Sequence, residues 1–289
     1  LMFYGNYGEA LKDLKAVVES GSYELVDDYE KLFNNATEGY MSKESVFITL
    51  RSYIPSYTSG SVCPQMNVGR GIAGGWGGEC PTKDLVDEYE VGDPRLVHTV
   101  LSSGDIFVKN DGSEEVHDYS GYDNFPQQHS RKQYPDFSRR PLNDLLNTDW
   151  THYHIRYADV LLMYAECLIE TDGDKQLAAD LINQVRYRAF VTTSLTDSYA
   201  KYRKFNLKES DRVTEDTFNA KYKVKASDDL RAAVRHERRI ELAGEGLRKT
   251  DEGKYSGAGT LVTDKTYPYP IPQSEIDYVG GALTQNDNY

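Results

Sequence analysis

One group of residues in this chain has the types and spacing to hold a ligand: Tyr53-Ile-Pro-Ser-Tyr57, then Asn67 and Arg70, then Gly74-Gly-Trp-Gly-Gly78. Aromatic faces stack on the C–H faces of sugars, while amide and guanidinium groups pair with hydroxyls. A few placed polar groups beside aromatic walls are the usual make-up of a small-ligand pocket. Trp76 has two glycines on each side, so its neighbours offer no side chains to bury it and the backbone can take unusual dihedral angles. Trp76 is therefore expected to be held up as a ligand platform, with Tyr53, Tyr57, Asn67 and Arg70 around it. The competing expectation is that the ring anchors its loop to the core, since tryptophan is highly buried on average.

A second group could carry acid–base chemistry. Glu237 and Glu241 share one helix face at a four-residue spacing, with Arg235, Arg238 and Arg239 around them. A carboxyl becomes a general acid when burial or a like charge raises its pKa without compensating cations; with arginines this close, the pair is expected to be salt-bridged scaffold. His152 and His154 fall on one side of a strand, but no acidic or cysteine ligand motif accompanies them, and no metal site is expected. Asp172 and Asp174 fall short of a calcium loop. The glycines between positions 69 and 78 lack the strand-then-helix context and terminal Lys of a phosphate cradle, and no serine nucleophile motif is present. Neither a catalytic set nor a cofactor is expected.

Composition narrows the ligand class. The 46 acidic against 33 basic residues give a net charge of −13, which repels nucleic-acid phosphates and anionic lipid headgroups. With 23 tyrosines and two tryptophans the chain is 12% aromatic, and neutral ligands are the natural expectation. No stretch approaches the roughly 18 apolar residues needed to span a bilayer. Three cysteines make no disulfide scaffold, and Cys167 is expected as a buried small hydrophobe.

Helices must position these residues. Residues 7 to 20 read as one, with Tyr7, Ala10, Leu11, Leu14, Val17 and Val18 on one face and Gly21 after it. A second stripe runs through Ala158, Leu161, Leu162, Ala165, Leu168 and Ile169, and a third through Ala178, Leu181, Ile182, Val185 and Ala189. Only the turn Thr171-Asp-Gly-Asp174 separates those two, so they must form an antiparallel hairpin. A fourth stripe, Leu230, Ala233, Val234, Ile240, Ala243 and Leu247, is expected to stop at Gly246, with Ala243 and Gly244 allowing close backbone approach. Prolines 268, 270 and 272 favour an extended segment beyond it. From about Arg51 to Trp150 periodicity mostly disappears, apart from a short helix at Lys83 to Tyr89; so long an irregular stretch with many aromatics is expected to be functional. Trp150 is expected as a structural staple on the hairpin, and residues 191 to 225 as a solvated connection. Helix pairs of this kind build tetratricopeptide-like units, without a strict internal period.

Three blocks carry a resemblance: Arg156-Tyr-Ala-Asp-Val-Leu-Leu-Met-Tyr-Ala-Glu166, His236-Glu-Arg-Arg-Ile-Glu-Leu242, and Tyr269-Pro-Ile-Pro-Gln-Ser-Glu-Ile276 with Gln285-Asn-Asp-Asn-Tyr289. In this order and at these separations they resemble the SusD/RagB family of Bacteroidetes surface lipoproteins. Val18-Glu-Ser-Gly-Ser-Tyr-Glu-Leu25, Pro81-Thr-Lys-Asp-Leu-Val-Asp87, Gly92-Asp-Pro-Arg95 and Asn183-Gln-Val-Arg-Tyr-Arg-Ala189 are similar to further parts of the family pattern. The stretch Lys249-Thr-Asp-Glu-Gly-Lys-Tyr-Ser-Gly257 departs from it.

The resemblance implies a mainly α fold of tetratricopeptide-like hairpins with a large loop-rich ligand-binding elaboration, here the C-terminal portion of a SusD-like domain spanning 1–289. Within it, residues 1–50 would end a helical hairpin, 51–150 face the ligand, and 151–289 supply a hairpin, a third helix and a proline-rich segment. It implies non-catalytic capture of oligosaccharides at the extracellular face of the outer membrane and delivery to a SusC-like TonB-dependent transporter. Attachment would be through an N-terminal lipid anchor ahead of this chain, which begins where the middle of such a protein would be. A peptide-binding nutrient receptor of the same fold, a glycoside hydrolase and a protein-binding scaffold are the competing expectations. In an oxidising compartment, Cys63 and Cys80 would be bridged across the glycine-rich loop.

Overall fold

The computed structural model describes residues 1–34, 39–54, 60–67, 75–109, 111–117, 128–134, 147–195, 200–247 and 273–278. Tyr57, Arg70, the proline-rich segment and residues 249–257 lie outside them.

Helices dominate. Helix α1 (Tyr7–Glu19) packs on α6 (Tyr157–Glu170), which forms the expected antiparallel hairpin with α7 (Lys175–Tyr187). The hairpin turn is locally determined. Gly173 N–H donates to the Leu168 carbonyl at 2.7 Å, Asp172 takes a positive φ of 50°, and Asp174 Oδ1 caps α7 by accepting from Gln176 and Leu177 N–H. Helix α9 (Leu230–Glu241) lies across both helices, and the shared core holds Leu161, Leu162, Ala165, Leu181, Ile182 and Val234. Cys167 is buried as expected, in a separate small cluster with Met2 and Ala10.

The remaining elements are short: α2 (Lys31–Asn34), α3 (Cys63–Asn67), α4 (Lys83–Glu88), α5 (Arg95–Thr99), α8 (Glu215–Thr217) and α10 (Gln273–Tyr278). Strands β1 (Ser45–Thr49) and β6 (His152–Arg156) pair antiparallel, as do β2 (Val100–Ser102) and β5 (Gln128–Ser130). A three-stranded sheet has the order β4-β3-β7, from β3 (Asp105–Val108), β4 (Glu114–His117) and β7 (Ala200–Tyr202). The segment read as irregular thus contains several strands, each too short to show a period in the sequence.

Two expectations need correction. Helix α9 ends at Glu241, short of Gly246, and both Gly244 and Gly246 take positive φ, so that the chain doubles back and Glu245 turns inward. Residues 191 to 225 are not wholly solvated either: Val213, Phe218 and Tyr222 are buried against Ala189 and Phe190 in a second small core. Polar residues between these widely spaced apolar positions hid that core from the sequence.

The centre of the molecule is ionic. Glu237 and Glu241 are fully buried and salt-bridged, but their partners come from distant segments and not from their own helix. Glu241 accepts from Arg95 at 2.7 Å, from Arg156 at 2.6 Å and from Arg188. Arg95 also binds Glu237 and Asp93; Arg156 also binds Glu44 and Glu245. The arginines on α9 turn elsewhere, Arg238 to Asp159 and Arg239 to Glu88 and Asp84. Burial alone would raise the Glu241 pKa, but Arg188, Arg156 and Arg95 outweigh it and hold the carboxyl well below its ordinary range.

Removing one member of a buried ion network leaves uncompensated charge and costs about 3–5 kcal/mol. Glu241→Gln should therefore lower the melting temperature by roughly 10 °C. Glu170→Gln, which removes the partner of the half-exposed Arg231, should change it by no more than about 2 °C. Thermal melts of both variants check this.

Candidate functional site

Of the ligand-facing candidates, Tyr53, Asn67 and Trp76 lie among the described residues, along a track that continues the β1–β6 pair. Arg51 N–H donates to Thr151 Oγ1, Asn147 Nδ2 reaches the Ile54 carbonyl, and Asn147 Oδ1 accepts from Gly60 N–H at 2.9 Å. Ser61 and Thr148 then exchange two backbone hydrogen bonds, and α3 begins two residues later.

Trp76 is clamped against that helix. Its N–H donates to the Gln65 carbonyl at 2.7 Å, and Gly78 N–H donates to the Met66 carbonyl at 2.8 Å. A Cβ on Gly78 would lie 2.7 Å from the Met66 carbonyl oxygen, so glycine is required there for close approach. Trp76 is 56% exposed. Tyr53, Ile54, Val62 and Met66 are exposed on the same loop cluster.

Asn67 lies at the end of α3, where its Nδ2 donates to Gln133 Oε1 at 2.5 Å. Gln133 is buried; its Nε2 donates in turn to Glu79 Oε2 and, at 3.4 Å, to the Gly244 carbonyl. Asn67 thereby holds the loop to the scaffold behind α9. No sequence signal marks Gln133 or Glu79, since the run Gln128-His-Ser-Arg-Lys-Gln133 is wholly polar yet buried.

The bridge expected between Cys63 and Cys80 is not formed: both are free thiols. Cys63 opens α3, whereas the Cys80 thiol donates to the Gly77 carbonyl at 3.6 Å and lies 3.7 Å from His129 Nδ1. Hydrogen bonds close the loop in place of a disulfide. The His152 and His154 rings do share one side of β6, 4.7 Å apart, and His154 Nε2 contacts Thr49 Oγ1. Among the described residues no group of three or more His, Cys, Asp or Glu is placed to hold a metal ion. Trp150 is buried as expected, but it is secured by donating to the Lys132 carbonyl.

Glu79 is the perturbed acid of this region. Burial pushes its carboxyl up to about 7, against the opposing pull of Lys132. A carboxyl whose folded pKa lies above its unfolded value binds more protons when folded, so its contribution to stability is present at low pH and lost as pH rises. Between about pH 5 and 8 the wild type should lose stability through this group, while Glu79→Gln removes that part of the slope. Melting temperatures across that range for both proteins check the sign.

Comparison with known proteins accords with this architecture. No curated protein matches the chain. Among solved structures it is similar to a SusD-like carbohydrate-binding protein from Bacteroides fragilis, with 29% identity and a TM-score of 0.65 over 89% of this chain and 50% of that one. It is similar to surface glycan-binding protein A from Bacteroides thetaiotaomicron in complex with laminarihexaose, with 22% identity and a TM-score of 0.65 over 99% of this chain and 61% of that one. A further SusD-like protein from Bacteroides fragilis shares 21% identity, with a TM-score of 0.69 over 100% and 63%. The chain thus spans about half to three-fifths of the length of these structures. The model of the SusD family matches residues 43–253, most of the chain, and the chain belongs to that family.

Proposed function

We propose that this chain is the ligand-holding part of a non-catalytic surface receptor. It captures an oligosaccharide at the outer face of the outer membrane and passes it to a TonB-dependent transporter of the SusC type. Residues 1–50 and 151–289 form the scaffold of a SusD-like domain, and 51–150 provide the ligand face. The observation that carries this reading is Trp76, a ring 56% exposed on a backbone held by two hydrogen bonds to α3. A large apolar face kept in water on a fixed backbone suits stacking on a ligand. The carbohydrate-binding relative and the laminarihexaose complex support the ligand class.

A shallow aromatic site gives modest affinity, about −4 kcal/mol or near millimolar for a short ligand. Several contacts along one polymer raise retention through effective concentration. Weak individual contacts suit a protein that must release its cargo.

Hydrolysis would need two carboxylates facing each other across a cleft at about 5–9.5 Å. Glu237 and Glu241 are instead enclosed in ion pairs with arginine, where neither can act on a substrate.

Trp76→Ala should weaken binding to glycans selected on an array by about tenfold or more, a loss of at least ~1.4 kcal/mol. Its helical circular dichroism and melting should remain those of the wild type; unfolding of the variant would place the ring in the core. Protein mixed with the same polysaccharides should release no new reducing ends, and native extraction of the membrane should recover a large barrel protein with it. Hydrolysis that vanishes on changing a single Asp or Glu would make the protein an enzyme.

A further inference from the structure

A groove of about 600 Å³ opens on the helical scaffold, lined by residues 23–25, the start of α6, α7 and residues 215–223. No described residue between 51 and 150 lines it, so it is separate from the Trp76 loop. Its volume falls within the roughly 300–1,000 Å³ of small-ligand sites.

The walls are aromatic and held in place. Tyr23 and Tyr157 stack with ring centroids 6.2 Å apart, and Tyr187 meets Phe218 edge-on at 5.4 Å. Asn183 joins α7 to the chain beyond residue 223, donating to the Val224 carbonyl at 2.7 Å and accepting from Val224 N–H at 2.8 Å. Phe218 is buried, whereas Tyr23 and Tyr187 are half-buried and keep ring surface open to solvent.

One observation inside the groove points to a ligand. Tyr157 is 8% exposed, yet its hydroxyl makes no hydrogen bond among the described residues and solvent still reaches it. Burial alone raises its pKa, with no hydrogen bond to offset the shift. A phenol this buried normally finds a partner, and a ligand hydroxyl entering the groove supplies one. The exposed amides of Gln184 and Asn219 likewise have no partner among the described residues.

The charges select against ions. Glu24 pairs with Lys43 at 2.8 Å, Asp180 accepts from Gln176 at 2.9 Å, and Glu215 accepts from the Tyr187 hydroxyl at 3.5 Å. Three acids against Lys223 repel an anionic ligand. What remains uncommitted is a phenol and two amides beside ring faces, which is the chemistry of a neutral sugar chain.

We propose that this groove is a second glycan site, which takes an internal segment of a neutral oligosaccharide. The Tyr157 hydroxyl and the Gln184 and Asn219 amides bind its hydroxyls, and the Tyr23 and Tyr187 rings meet its C–H surfaces. This rests on the glycan reading above and adds a site that needs nothing from the Trp76 loop. Two sites on one protein hold a polymer longer than either alone, through effective concentration.

The test uses the full chain and its Trp76→Ala variant with maltohexaose, cellohexaose, xylohexaose and mannohexaose, read by saturation-transfer NMR and by titration. The Trp76→Ala protein should still bind at least one of them. In that background Tyr157→Phe, Gln184→Ala and Asn219→Ala should each weaken the residual binding by about five- to tenfold, the worth of one hydrogen bond. Their melting temperatures should stay unchanged, because none of the three groups bonds within the fold. No binding by the Trp76→Ala protein, or residual binding unchanged in all three folded variants, would overturn the groove; the Trp76 reading is judged separately, by the loss between wild type and Trp76→Ala. Binding that keeps its full strength in Trp76→Ala but falls in the groove variants would overturn the Trp76 reading and leave the groove. Binding of tetralysine in place of all four sugars, lost on Asp180→Asn, would give the groove to cationic peptides and overturn its assignment to glycans.

Discussion

Three guanidinium groups converging on one buried carboxylate is the interaction on which the rest of this structure depends. Taking Glu241 out of water carries a desolvation cost of several kcal/mol, as does each of its partners, and only mutual pairing with well-aligned hydrogen bonds offsets it. Arg95, Arg156 and Arg188 come from the start of α5, the end of β6 and the residue just after α7, and Glu44 joins from the loop before β1. None of these segments can leave without stranding a charge. That requirement joins the helical hairpin to the strands and turns around it.

The same constraint shapes the surface around Trp76. Because Glu245 must reach Arg156 and Lys132, the chain cannot continue as helix beyond Glu241, and it turns back through Gly244. The Gly244 carbonyl then meets Gln133, which holds Glu79 and Asn67, and those two bracket the segment that carries Trp76. The exposed ring is thus connected to the ionic centre by a short series of hydrogen bonds, and a fixed backbone spares much of the ordering entropy that binding otherwise costs.

Ionisation divides the acids by role. Glu241 is held charged far below its usual range by three arginines, and Glu90 is brought to about 2: burial raises its pKa, but His236 and Arg186 outweigh that. Glu79 is moved the other way, to about 7, because burial exceeds what Lys132 returns. Lys132 itself falls to about 8 through burial, partly offset by Glu245. Glu241 and Glu90 are therefore held in the charged form, whereas the acid moved toward neutral pH lies three residues beyond Trp76.

The sequence by itself determined the helices and the family. Apolar residues at three- and four-residue steps, a capping Asp174 and a tight turn allow only one arrangement for α6 and α7, because helix periodicity and local capping are short-range properties. The exposed ring was also legible, since four flanking glycines provide nothing to bury Trp76. Only tertiary structure decided where the charges go. Arg156, Asp159 and Glu166 lie largely off the apolar stripe of α6, yet all three are buried, because pairing across α9, β6 and the 93–95 turn depends on segments up to 146 residues apart meeting in space. For the same reason the sequence placed the stop of α9 too late, expected a disulfide where hydrogen bonds suffice, and gave no sign of Gln133. A buried polar side chain looks like a solvated one until its partner is known, and no local pattern records that partner.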